Sequence, residues 1–222
     1  MASRETFLYP SLVPLGAQSA RFDRENRTLR VPAGTAVIPS WGYASSQYRQ
    51  IRRAVLPEGL AVIGEYAFYE RRELRQVFIP DSVRKIGASA FSWCKKLEQA
   101  VLPDGLWEIE RDLFYGCEGL REISLPARAQ MIGRGAFCSC HSLARVSLPE
   151  GLRKIDRNAF RFCTMLTEFS IPDSVLEIGK QAFEGCPLRE VSLPASFRDS
   201  AYWQRRLDEA GISKRARRYR AQ

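Results

Sequence analysis

This 222-residue sequence contains six cysteines. Their type and spacing make them the first candidates for disulfide, metal or nucleophile chemistry. Five of them recur at intervals of 23 residues, at Cys94, Cys117, Cys140, Cys163 and Cys186. In a stacked repeat this spacing forms a column with Cα atoms about 4.8 Å apart. The parallel Cβ vectors of such a column do not bring the Cβ atoms within the about 3.5–4.5 Å that a disulfide needs. We therefore predict five buried, reduced thiols and expect Cys138, off the column, to react sooner.

The one catalytic arrangement that these residues suggest is a cysteine nucleophile beside a histidine base. His141, the single histidine, directly follows Cys140, and adjacent residues seldom face each other as a catalytic pair must. Other repeats carry unrelated residues at the same position, which indicates a solvent-facing turn: Lys95, Glu118, Thr164 and Pro187. Cys138-Ser-Cys140 has no second set of metal ligands, and the P-loop and HExxH motifs are absent. We therefore predict no catalytic residue, no cofactor and no metal site.

Much of the positive charge lies near the C-terminus. The formal net charge is +9, and residues 196–222 supply +5 of it, from eight basic and three acidic residues. The basic side chains closest to the end are Lys214, Arg215, Arg217, Arg218 and Arg220. Such a cluster can bind the phosphates of nucleic acid or an anionic membrane surface, without sequence specificity and with strong salt dependence. The alternative, which we favour, is a solvated and poorly ordered chain end.

The elements that position these residues are copies of one unit. Pro57 and the five prolines that follow it at 23-residue intervals mark the units, and Pro194 comes 22 residues after the last. Each unit fits the frame [IL]-P-x-[GS]-[VL]-x-x-I-[GDE]-x-x-A-F-x-x-C-x-x-L with few departures. Period-2 alternation before each proline indicates a brief strand, and the recurring phenylalanine indicates rings stacked along one core. This fixed period predicts a β-solenoid with a parallel strand ladder.

The repeat frame resembles the BspA-like leucine-rich repeats of bacterial proteins. The pattern recurs over residues 56–194, and the N-terminal flank, with Phe22-Asp-Arg-Glu-Asn-Arg-Thr-Leu29-Arg-Val31 and Trp41, is similar to the strand-rich segment that precedes such repeats. The resemblance covers residues 20–195. It implies a right-handed leucine-rich-repeat superhelix, mainly β with short turns and helical segments. It also implies a role in protein binding or adhesion, often at a bacterial surface, and no catalytic residue.

We predict four segments within a single domain. Residues 1–20 form an N-terminal extension that is expected to be poorly ordered, and residues 21–55 form a strand-rich cap with a degenerate first repeat. Residues 56–194 form the solenoid, with six 23-residue repeats and a terminal strand. Residues 195–222 form a capping helix and the basic tail, because the last unit of a solenoid needs covering.

The capping helix is expected over residues 200–210. Ser200 is the predicted N-cap, and Gly211 is the predicted stop. Trp203 and Leu207 lie four residues apart and therefore share one face of the helix. We expect both side chains to lie over the unit that contains Phe183.

The sequence lacks an apolar run of the length that a signal peptide or a membrane span needs. Residues 1–20 carry Glu5 near the start, and Pro10 and Pro14 interrupt the apolar stretch. No run approaches the roughly 20 apolar residues of a transmembrane helix. These observations favour a cytoplasmic location for this chain, whereas the resemblance implies a cell-surface or secreted one.

Two outward-facing columns flank the inward residue of each predicted strand. The first is polar: Arg53, Gln76, Gln99, Glu122, Arg145, Glu168 and Glu190. The second changes from apolar residues to serine: Val55, Phe78, Val101, Ser124, Ser147, Ser170 and Ser192. We name Val55, Phe78 and Val101 the apolar strip, and with the polar residues beside it the strip has the composition of a small interface centre. The alternative explanations are strand propensity and coverage by the N-terminal flank.

The function predicted from these features is a non-catalytic protein–protein interaction module. An unidentified protein partner would bind the outward strand face at Arg53, Val55, Gln76, Phe78, Gln99 and Val101. Nucleic-acid or anionic-surface binding through the arginine-rich tail is the alternative function.

Overall fold

The structure is a computed structural model that describes residues 20–221. Within that range the chain forms a β-solenoid of about eight turns, with parallel strand ladders and little helix. The repeat period predicted this architecture. Apart from Ala20, the expected N-terminal extension lies outside the described residues. The division into four segments stays a prediction.

Seventeen short strands lie between residues 20 and 221. In chain order they are β1 (Arg21–Asp23), β2 (Thr28–Arg30), β3 (Val37–Ile38), β4 (Arg53–Val55), β5 (Val62–Ile63), β6 (Gln76–Phe78), β7 (Lys85–Ile86), β8 (Gln99–Val101), β9 (Glu108–Ile109), β10 (Glu122–Ser124), β11 (Met131–Ile132), β12 (Arg145–Ser147), β13 (Lys154–Ile155), β14 (Glu168–Ser170), β15 (Glu177–Ile178), β16 (Glu190–Leu193) and β17 (Arg217–Tyr219). The helices are α1 (Ala201–Glu209) and the 3-10 helices Ser46–Tyr48, Ala195–Phe197 and Lys214–Ala216.

The strands form two ladders along the solenoid. The longer strands pair in the orders β1-β2-β4-β6-β8, β10-β12 and β14-β16-β17, and only β1 and β2 run antiparallel. The two-residue strands pair in the orders β3-β5-β7 and β9-β11-β13-β15. The longer ladder is interrupted after β8 and after β12, where the inward residues Ala100 and Val146 are half-buried. At these two points the neighbouring strands are not paired in one sheet, and the inward residues are more exposed to solvent.

Hydrogen-bonded bends close another side of each turn. Asn158 N donates to Lys180 O (3.2 Å), and Phe160 N donates to Ala182 O (2.8 Å) in the following turn. Asn158 and Phe162 have φ angles of 60° and 62°, in the left-handed region. A non-glycine residue in this region carries a penalty of roughly 1–2 kcal/mol. Hydrogen bonds between successive bends offset that penalty, because they satisfy backbone groups that would otherwise be buried without a partner.

Six phenylalanines form one stacked column through the core, namely Phe68, Phe91, Phe114, Phe137, Phe160 and Phe183. All are fully buried, and the centroids of neighbouring rings lie 5.2–5.7 Å apart with planes within 5–12° of parallel. At the N-terminal end, the buried Tyr43 ring continues the column, 5.3 Å from Phe68. The predicted phenylalanine stack is therefore confirmed, and the N-terminal flank covers its first ring.

The cysteine column stands beside the phenylalanine column. Each thiol donates a hydrogen bond to the carbonyl oxygen of the phenylalanine one turn earlier, as Cys117 Sγ does to Phe91 O (3.2 Å). All six cysteines are free, and the first four members of the column are buried, as predicted. However, Cys186 is half-buried and Cys138 is buried. The expectation that Cys138 reacts sooner than the column thiols therefore needs correction for Cys186, which is more exposed because it belongs to the last repeat and no further repeat covers it. For the first four members of the column it stays a prediction.

Thiol reactivity should follow this difference in burial. Burial raises the pKa of Cys94 to about 12, so its thiolate is scarce at pH 8 and alkylation requires unfolding. Cys186 is half-buried, whereas the other five thiols are buried, so a reagent reaches Cys186 most easily. We expect iodoacetamide to modify Cys186 first in the folded protein, as peptide mass spectrometry would show. Cys186→Ser should abolish the early product, and equal labelling rates at all six cysteines would contradict a buried column.

Arg71 occupies the position in the first repeat that cysteine holds in the later ones. Its side chain is buried, and its guanidinium donates to Ala44 O (2.9 Å) and Ser45 O (2.8 Å). These bonds tie the N-terminal flank to the solenoid, and they supply acceptors for the buried guanidinium.

Helix α1 begins and ends where its sequence signals predicted. The Ser200 side chain accepts a hydrogen bond from Trp203 N (3.4 Å), which confirms Ser200 as the N-cap. Gly211 follows the helix with a φ of +89°. A glycine in the left-handed region is the commonest way to end a helix.

The helix covers the last turn of the solenoid by backbone and side-chain contacts. Leu207 is fully buried, and Phe183 N donates to Ala210 O (2.8 Å) at the end of the helix. The Trp203 ring stacks on Phe197, with 3.7 Å between the centroids. Trp203 also packs against the buried core, and its expected place over the unit that contains Phe183 stays a prediction.

Candidate functional site

The candidate site is the outward face of β4, β6 and β8. Parallel pairing places Val55 beside Phe78, and Phe78 beside Val101. The same register aligns the polar residues two positions earlier in each strand, so that Arg53, Gln76 and Gln99 form the neighbouring column. The inward residue of each strand lies between these columns, and alternation therefore points all six predicted site residues away from the core.

The apolar strip is exposed. The relative exposures of Val55, Phe78 and Val101 are 37%, 54% and 53%. The N-terminal flank does not fold over them, because β2 extends the same ladder and places Arg30 beside Val55. Coverage of the strip by the described part of that flank, residues 20–51, is therefore excluded as its explanation. Contiguous exposed apolar side chains with polar neighbours are typical of interaction sites.

An arginine-lined concavity borders the strip on the side of Arg53. Arg30, Arg52 and Arg75 contribute to its wall, together with Asn26, Thr28, Arg53, Gln76 and Glu98. Glu98 is the single acidic residue of this wall, and its carboxylate pairs with Arg75 at 2.6 Å. The repeat spacing could have brought together Arg52, Arg75 and Glu98, which share the position just before each strand, but not Arg30. We name Arg30, Arg52, Arg53 and Arg75 the arginine group.

The other half of the strand face has a different chemistry. Glu122, Glu168 and Glu190 are exposed there, and Arg145 pairs with Glu122 at 2.9 Å. The second column is serine throughout this half. A groove at the interruption between β8 and β10 separates the two halves, and its wall includes Val101, Glu122, Ser124, Arg145 and Ser147. The face is thus apolar and basic at its N-terminal end and polar in its other half, where exposed acids are interspersed with exposed Arg145 and Arg218.

The C-terminal tail is folded, contrary to expectation. Strand β17 pairs in parallel with β16. The buried Arg217 guanidinium donates to Ile212 O (2.7 Å) and Gln204 Oε1 (2.8 Å), and it also pairs with Asp208. The favoured view of this segment as a solvated, poorly ordered end is therefore wrong, because the strand ladder provides hydrogen-bond partners for it.

The five basic residues of the tail do not form one surface. Arg217 points inward and cannot contribute to an anion-binding site, which corrects that prediction for this residue. Arg220 donates to Ile171 O (2.6 Å), and it pairs with Asp173 at 2.5 Å. Lys214, Arg215 and Arg218 remain exposed. An anion-binding tail would therefore rely on fewer free charges than the sequence indicates.

Cys140 and His141 do not form a nucleophile and base pair. Burial raises the pKa of the fully buried Cys140 thiol, whereas His141 is exposed in a turn. Between residues 20 and 221, no group of three or more His, Cys, Asp or Glu side chains is arranged to hold a metal ion. Over the same range, no helix has the length and apolar character required to cross a membrane.

Solved structures with the same fold come from several bacteria. A leucine-rich repeat protein from Eubacterium ventriosum is 25% identical, with a TM-score of 0.66, over 72% of this chain and 42% of that one. A leucine-rich cell-surface protein from Faecalibacterium prausnitzii is 27% identical, with a TM-score of 0.65, over 78% and 52%. The T. pallidum leucine-rich repeat protein, at 24% identity and a TM-score of 0.67 over 90% and 96%, supports the fold alone.

The first two relatives are longer than the matched region, so this chain spans about half their length. No curated protein matches the sequence. The family model of the BspA-type leucine-rich repeat region matches this sequence in six copies, over residues 27–98, 42–140 and 84–205. These matches cover most of the chain and coincide with the observed turns of stacked phenylalanines and paired short strands. The chain therefore belongs to the BspA-type leucine-rich repeat family.

Proposed function

We propose that this protein is a non-catalytic interaction module that binds a protein partner through the apolar strip and the polar column beside it. The repeat family supports an interaction or adhesion scaffold. The observation that carries the finer proposal is the exposure of three aligned apolar side chains on the strand face. The location stays a prediction, and the cell-surface description of the Faecalibacterium relative supports the surface alternative.

Phe78 is the anchor of the proposed interface. Its ring is the largest of the three side chains and stands between the two valines in the ladder. Interface energies concentrate in a few central aromatic or arginine side chains that become fully desolvated. Val55 and Val101 would exclude water around the ring, and Gln76 and Gln99 would provide hydrogen bonds at the border. The serines of the other half bury much less apolar area.

Phe78→Ser should weaken partner binding by about 1–3 kcal/mol and leave the melting temperature nearly unchanged. An exposed ring contributes little to the core, whereas its contact area with a partner is lost. Candidate partners would be captured from a lysate of the source organism and identified by mass spectrometry. The affinity of the purified partner for each variant would then be measured by biolayer interferometry.

Leu176→Ser is the matched control, because Leu176 is 62% exposed but lies outside the apolar strip. The control should bind like the parent protein. If Phe78→Ser binds normally, or if it unfolds at a much lower temperature, the strip is not the interface.

Nucleic-acid binding through the tail is less well supported than the sequence indicated. Arg217 is enclosed by the cap, and Arg220 is engaged on the solenoid. Salt-dependent contacts to phosphates scale with the number of available charges. The folded tail therefore contributes to the C-terminal cap, and this role uses two of the five basic side chains that anion binding would need.

A further inference from the structure

We propose that the partner presents an acidic, extended segment, with carboxylates over the arginine group and an apolar side chain over Phe78. This inference rests on the proposed function, because it assigns the chemistry of the partner at the same face. Two observations carry it: the convergence of four arginines, and the apolar strip in register with them.

The arginine group concentrates positive charge next to the strip. Arg30 lies beside Val55 across the ladder, and Arg53 belongs to the same strand as Val55. Arg52 and Arg75 line the same concavity. Over residues 20–221, Arg75 is the one member of the group with an acidic side chain within 4.0 Å of its guanidinium. Three of the four arginines are therefore exposed without an acidic side chain at ion-pair distance in that part of the chain. Asp23 interacts with Arg30, and Glu73 with Arg52, only over a longer distance.

Carboxylates are the groups that such an arrangement recognises best. Guanidinium groups donate paired hydrogen bonds to a carboxylate in a fixed planar geometry. Neighbouring like charges repel one another, and an anion placed between them relieves this repulsion. A protein segment with acidic side chains would thus gain at the arginine group, while its apolar side chain is desolvated on the strip.

A protein segment suits this face better than a nucleic acid does. Bases bind single-strand sites by stacking on successive aromatic rings, but the neighbours of Phe78 on the strip are both valines. A polyanion would therefore gain from phosphate contacts to the arginine group but would leave the strip without a matching apolar partner. A protein segment gains from its carboxylates and from its apolar side chain together.

Random 12-residue peptides displayed on phage provide a defined probe for the full chain. We expect selected peptides to be enriched in Asp and Glu next to aromatic or aliphatic residues. For a resynthesised peptide, Phe78→Ser and the double variant Arg52→Gln/Arg53→Gln should each weaken binding about tenfold or more, from the loss of an anchor or of charge-assisted hydrogen bonds. Arg121→Gln is the matched control, because Arg121 holds the same repeat position as Arg52 outside the arginine group.

The outcomes separate this inference from the proposed function. If peptides depend on Phe78 but not on Arg52 and Arg53, or show no acidic enrichment, the acidic-segment inference is overturned and the interface remains. If neither Phe78→Ser nor Arg52→Gln/Arg53→Gln weakens the binding of any selected peptide, the acidic-segment inference and the proposed interface are both overturned. Tighter binding of a 12-residue oligo(dT) through the same arginines would identify a nucleic-acid surface and overturn the inference. The inference is supported if acidic peptides lose affinity for the Phe78→Ser and Arg52→Gln/Arg53→Gln variants and bind the Arg121→Gln variant like the parent protein.

Discussion

Phe137→Ala should lower the free energy of unfolding by about 3–5 kcal/mol. The Phe137 ring is fully buried in a middle turn, and its centroid lies 5.6 Å from that of Phe114 and 5.3 Å from that of Phe160. Truncation removes contacts on both faces of the ring and leaves a cavity between two turns. The neighbouring turns cannot collapse into this cavity, because their strand and bend ladders hold the spacing between them.

Guanidinium denaturation followed by circular dichroism measures this loss as a shift of the midpoint. Phe162→Ala is a suitable control, because it removes the same kind of ring from a surface bend in the next turn. The control should shift the midpoint much less. Equal shifts for both variants would mean that the phenylalanine stack is not the principal source of stability in the middle turns.

Arg217→Ala is expected to destabilise the C-terminal cap by about 2–4 kcal/mol, since each hydrogen bond from a charged group contributes about 1.5–3 kcal/mol. The guanidinium joins Gln204 and Asp208 of helix α1 to Ile212 after it. Its removal leaves the Ile212 carbonyl without this donor. It also breaks the connection between strand β17 and the helix that closes the solenoid.

Limited trypsin digestion and native-state hydrogen exchange test this expectation at the cap. Arg218→Ala provides the control, because Arg218 is the next residue of the same strand but its side chain is exposed. Arg217→Ala should accelerate cleavage and exchange in the tail, and Arg218→Ala should leave both close to the parent rates. If the two variants behave alike, the tail does not depend on the buried guanidinium, and the earlier view of a loosely held end regains support.

The repeated part of this protein could be predicted from the sequence alone. Proline every 23 residues marked the turns, and the phenylalanine at a constant position specified the core. Period-2 alternation placed Phe78 outward, since a residue next to an inward strand position must face away from the core. These predictions succeeded because each repeat faces the same neighbours, so one unit reports the environment of the corresponding residue in the next.

Only the tertiary structure decided how the C-terminal tail packs and which columns lie together, whereas helix α1 was predicted from its sequence signals. The folding of the tail depends on pairs such as Arg220 with Ile171, 49 residues apart, and no periodicity predicts such a contact. Cys186 is more exposed than its equivalents because no further repeat follows it. Arg30 joins Arg52, Arg53 and Arg75 because β2 extends the ladder outside the repeat frame. In each case a non-repeated segment meets a repeated one, and the contacts between them determine burial and charge.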